Sequence, residues 1–192
     1  MSLPDAKTIE EASKLNVLDS DGKPLTFGSL IQDNEVIVAY VTTLATVRPE
    51  ALEKANKKLI IIGCGTWQPI KAYVERSGFK GPIYADPTRG LFNLFGTISS
   101  LESTPKGEQK KSYAPTSYFY NAVGSIWARL FNSFSAGLQH PQHVGKQGSI
   151  SQLGGEFILG KDGQCTFAAR MKHTEDHTEV ADLMREAGVE YP

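Results

Sequence analysis

Cysteine is scarce in this chain. Only Cys64 and Cys165 occur in 192 residues, and they lie far apart. Such a pair is no disulfide framework, so the expected setting is a reducing, intracellular one, the cytoplasm. Long apolar runs are missing too: none approaches the ~18 residues of a membrane-spanning helix. The opening stretch MSLPDAKTIEEASK has no apolar core of the kind a secretory signal carries. Excess charge of either sign is absent at a formal net charge of −1, so neither nucleic acid nor a membrane surface is expected as a partner. No internal repeat and no heptad pattern occurs. Gly63-x-Gly65 lacks the third glycine and the later acidic residue of a dinucleotide fingerprint, and no cofactor is expected.

What is present is a well-ordered succession of α and β patterns. Leu59–Ile62 is a short, β-branched apolar run that stops at Gly63-Cys64-Gly65, as a strand buried on both faces would. Pro69 suits the first turn of a helix, and Ile70, Tyr73 and Val74 share one helical face. Residues 82–85 form a second strand ended by Asp86-Pro87, a turn rather than a catalytic carboxylate. Strand, helix and strand make a βαβ unit. Before it, residues 7–14 make one or two helical turns, Asp21-Gly22 joins a hairpin, and residues 27–31 make a brief helical turn. EVIVAYV at 35–41 is a strand, and PEALEKANKK at 49–58 a helix.

After the βαβ unit, a helix is expected over 88–95 and an insertion over 98–150, rich in aromatics. Residues 118–134 can place Ile126, Trp127, Leu130 and Phe134 on one helical face, as a lid, a subunit interface or a satellite core. Strands 155–159 and 165–169 flank the turn Gly160-Lys161-Asp162-Gly163. An amphipathic helix over 178–187 follows, with Thr174 or Asp176 as its N-cap. A parallel half joined to an antiparallel hairpin, with a final helix, is the thioredoxin arrangement. The expected fold is α/β, thioredoxin-like, with a central mixed sheet flanked by helices, in one domain over 15–192 that carries the insertion.

The stretch IGCGTWQPIKAYVERSGFKGPIYADPTRGLFNLFG, with QLGGEFILGKDG and FAARMKHTEDHTE, resembles the AhpC/TSA family, of the peroxiredoxin-like 2 type. The resemblance runs from about Asp19 to Val189. It implies a thioredoxin-like fold, thiol redox chemistry, and a Cys-x-x-Cys motif just after strand 35–41. The thiolate is the nucleophile there, and a helix N-terminus and a nearby cation lower its pKa. This chain departs from the pattern: Thr42 to Pro49 reads TTLATVRP, without cysteine and shortened. The implied function is a peroxiredoxin-like thiol oxidoreductase made degenerate by loss of the peroxidatic cysteine. The alternatives are a non-catalytic binding protein on the same scaffold and a repurposed enzyme acting on a small organic substrate.

Three residues are candidates for chemistry. Cys64 sits at a strand's carboxyl end before a helix, where ligands bind in open α/β sheets; its plainer role is filling a tight turn. Thr43 brings a hydroxyl to the place of the missing motif, able to bond a ligand but not to act as a two-electron reductant. Arg170, at the end of the closing hairpin, is of a type that can stabilise a thiolate or anion. Cys165 reads as buried and inert, and Arg48 as a solvated charge. His140/His143 and His173/His177 lack an evident third ligand for zinc. The implied partner is a small molecule or a thiol reductant, and a homodimer remains open.

Overall fold

The computed structural model describes residues 2–39, 44, 46–109, 145–146 and 148–191. Seven strands form one sheet: β1 (Asn16–Leu18), β2 (Pro24–Thr26), β3 (Glu35–Ala39), β4 (Lys57–Gly63), β5 (Ile83–Ala85), β6 (Gly155–Leu159) and β7 (Cys165–Arg170). Their spatial order is β2-β1-β5-β4-β3-β6-β7. Strands β3, β4 and β5 run parallel, with Ile37 opposite Leu59 and Ile61 opposite Ile83. The closing hairpin joins antiparallel, with Ile37 opposite Ile158. The first hairpin also enters the sheet, through Leu18 opposite Ala85. This is the mixed sheet of a thioredoxin-like α/β fold.

Side-chain alternation divides the core into two layers. Val36, Val38, Ile60, Ile62, Phe157 and Leu159 face α1 (Ala6–Ser13), α2 (Phe27–Ile31) and α5 (Gly90–Leu94). Ile37, Ala39, Leu59, Ile61 and Ile158 face α3 (Pro49–Lys54), α4 (Ile70–Ser77) and α6 (Val180–Glu186). Strands covered on both faces read as the continuous apolar runs seen in the sequence.

Two element ends differ from the sequence expectation. The helix expected to Lys58 stops at Lys54, and Asn56 takes a positive φ of 52°. Lys57 then pairs with Glu35 in the sheet, by register and by a salt bridge. Strand pairing therefore claims residues whose local propensity is helical. The last helix has Glu179 at its N-cap, without a side-chain bond. Thr174 instead donates to the Glu102 carbonyl, and the Asp176 carboxylate accepts from Lys172 N–H. Residues 112–135, where the aromatic helix with Trp127 is expected, lie outside the described residues.

Candidate functional site

The parallel strands end together at one edge of the sheet, where open α/β folds bind ligands. Cys64 follows β4 there. Asp86, just after β5, donates its backbone N–H to the Gly63 carbonyl at 2.8 Å, which sets the two strand ends side by side. The Asp86 side chain is buried, and both its oxygens are engaged locally. One oxygen accepts from Thr88 Oγ1 at 2.6 Å and the other from Leu91 N–H at 2.9 Å. It fixes the start of α5, as a turn residue should.

Cys64 is half-buried. Its Sγ lies 3.7 Å from the Ser149 carbonyl, to which it can donate. Burial pushes the thiol up; the Ser149 contact and Arg89 oppose that, and Asp86 adds to it. The setting does not supply the low pKa that a strand end before a helix can give. The reason is the burial of the sulfur, which disfavours the charged thiolate. Cys64 therefore holds its proton at neutral pH. Its alkylation by iodoacetamide is expected to be slow at pH 7 and to rise only above pH ~8.5, the range of a free thiol. A rate profile with its midpoint below pH 7 would refute this; a Cys165→Ser background isolates the signal.

Arg170 is not brought to Cys64. It lies opposite Gly155 on the edge strand, and three strand spacings, about 14 Å, separate β7 from β4. Its guanidinium leans back over the Phe157 ring, 5.4 Å from the centroid. It donates to the Phe95 carbonyl and, at 3.0 Å, to the Ser2 carbonyl. Gly155 lets β6 and β7 approach closely here: a Cβ would sit 2.3 Å from the Ala169 carbonyl and 3.3 Å from Arg170 Cα. Thr43 lies outside the described residues.

Cys165 is buried and donates to the Phe167 carbonyl at 3.0 Å. Through Leu159 and Val36 it is level with Lys58, six residues before Cys64. At ~3.3 Å per residue the two sulfurs are about 20 Å apart along the strands alone. They cannot act as a dithiol pair without unfolding the sheet.

A second polar cluster lies on the other face of the sheet. Glu156 is fully buried on β6 and accepts from Thr178 N–H at 3.3 Å and Thr178 Oγ1 at 3.0 Å. Its other oxygen lies 2.9 Å from His177 Nδ1. The alternation of GGEFIL hints at it: one acidic residue sits inside an apolar strand. His173 Nδ1 accepts from Glu175 N–H at 3.3 Å. Among the described residues, no group of three or more His, Cys, Asp or Glu is placed to hold a metal ion. His140 and His143 lie outside them.

Residues 43–173 match the AhpC/TSA antioxidant enzyme family. The chain belongs to that family. Among curated proteins this AhpC/TSA member is similar to Peroxiredoxin-like 2C of Bos taurus, at 25% identity over 191 residues, covering 93% of this chain and 79% of the relative. The Homo sapiens Peroxiredoxin-like 2C is 24% identical and covers 93% and 80%. Among solved structures it resembles a mutant of Peroxiredoxin 6 of Arenicola marina, at a TM-score of 0.59 and 15% identity over 98% of this chain and 72% of that one. It likewise resembles Peroxiredoxin Q of Xanthomonas campestris, at a TM-score of 0.56 and 15% identity over 98% and 93%. At such identities the structures speak to the fold. Within the family this chain is a peroxiredoxin-like member with two cysteines, neither of them in the segment after β3.

Proposed function

We propose that this AhpC/TSA member has lost the thiol peroxidase cycle and keeps the thioredoxin-like scaffold, with Cys64 as a slow thiol at the ligand-binding edge. In that cycle a thiolate sulfur attacks one peroxide oxygen, the O–O bond breaks, and sulfenic acid forms as water or an alcohol leaves. A second thiol then condenses with the sulfenic acid to a disulfide as water leaves, and a dithiol reductant exchanges with that disulfide, becoming oxidised itself and restoring both thiols. The observation that carries the reading is the state of Cys64: half-buried, bonded to a backbone carbonyl and pushed toward its protonated form. Cys165 is too distant to resolve it. A reducing compartment such as the cytoplasm suits two free cysteines.

The test is peroxide consumption by the pure protein with a dithiol reductant, beside a Cys64→Ser variant. Neither is expected to exceed the background of reductant and peroxide. Turnover that vanishes in Cys64→Ser would overturn the reading and make Cys64 the nucleophile.

A further inference from the structure

Helix α6 ends in a left-handed turn. Gly188 has a φ of +66°, and the N–H groups of Gly188 and Val189 donate to the Arg185 and Met184 carbonyls at 3.0 and 2.8 Å. Such a glycine turn closes the helix and redirects the chain. The next three residues engage α3 and the backbone just before it. Val189 is buried at 4% exposure, in the same core layer as Val47 and Ala51. Glu190 accepts from Lys54 Nζ at 3.1 Å, at the last residue of α3. The Tyr191 hydroxyl lies 2.9 Å from Thr46 Oγ1, three residues before α3 begins. Tyr191 is also partly buried against that core layer. Residues 188–191 therefore grip α3 at both ends, from 136 and 145 residues away in the chain.

α3 has little to hold it by itself. It is six residues long, and a helix that short depends on tertiary packing. Its N-cap, Arg48, supplies no side-chain bond, and Ala51 is its buried residue. The Lys54–Glu190 pair adds little, because both side chains are largely exposed. The grip rests on buried Val189 and on the Tyr191 hydroxyl.

We propose that residues 188–191 are a strap. Seated, they hold α3 and Thr46–Arg48 on the sheet. Released, they let α3 open as a unit while the seven strands stay paired. The strap thereby controls backbone that follows β3, at the ligand-binding edge of the sheet, and it does so independently of any chemistry at Cys64.

The test is native-state amide exchange on the full chain at increasing urea. Two amides report on α3: Leu52 N–H, which donates to the Arg48 carbonyl, and Ala55 N–H, which donates to Ala51. Ile61 N–H, which donates to Pro82, reports on the sheet. In the wild type, Leu52, Ala55 and Val189 are expected to exchange at one common opening free energy, with a weak urea dependence. Ile61 should exchange more slowly, with the steep dependence of global unfolding. Tyr191→Phe removes only the hydroxyl and should speed Leu52 and Ala55 exchange about fivefold. Val189→Ala should speed both at least about tenfold.

If Val189→Ala does not fold, Tyr191→Phe decides. Exchange of Leu52 and Ala55 with the urea dependence of Ile61 would overturn the proposal, since α3 would then open only with the sheet. Exchange of the α3 amides that Tyr191→Phe leaves unchanged would overturn it as well.

Discussion

Replacing Phe157 by Ala is expected to cost the fold about 3–5 kcal/mol, the range for truncating a buried aromatic. Phe157 is fully buried on a central strand and stacks on Phe95 at 4.8 Å between centroids. Phe95 in turn meets Phe27 edge-on at 5.8 Å. The three rings tie β6 to α2 and to the end of α5, so the cavity left by Phe157 is walled by Phe95, which Phe27 meets in turn. The Arg170 guanidinium also loses the ring it leans on, a contact worth about 0.5–1 kcal/mol when partly exposed. The check is urea unfolding: the midpoint falls and the slope is unchanged. A loss below about 1 kcal/mol would show that the aromatic layer is not the centre of this core.

The second large effect is expected at Glu156. Glu156→Ala should cost about 3 kcal/mol, because Thr178 N–H, Thr178 Oγ1 and His177 all lose this acceptor inside the fold. Glu156→Gln keeps one acceptor oxygen and should cost distinctly less, about 1 kcal/mol. The ordering is the point. If the glutamine variant were as unstable as the alanine one, the hydrogen bonds would not be what holds the carboxylate in the sheet. If the alanine variant matched wild type, the cluster would contribute nothing to the attachment of the 172–179 loop.

Much of the fold was legible in the chain. The run at 35–41 announced a strand and the run at 59–62 a strand buried on both faces, and those are two neighbouring parallel strands of the sheet. The glycines and the aspartate of 160–163 announced the closing hairpin, which is seated beside β3. Where the reading slipped, pairing had overruled local preference: Lys57 and Lys58 read as a helix end but lie in β4. The missing thiol after β3 was also plain from residues 42–49.

The candidate site was legible only in part. Cys64 was found from its place between two glycines at a strand end, but its protonation was not, because that follows from the burial of the sulfur in the folded chain. Arg170 looked available to a thiolate, yet its direction depends on Phe157 and Phe95, which lie on other elements. Sequence alone determined the order of the elements, the α/β character and the want of a cysteine after the third strand. Each of these rests on the period and composition of contiguous residues. The tertiary structure alone decided which groups face the sulfur, where the arginine turns and that Glu156 is buried, because those facts depend on side chains that only strand register and the return of a distant limb bring together.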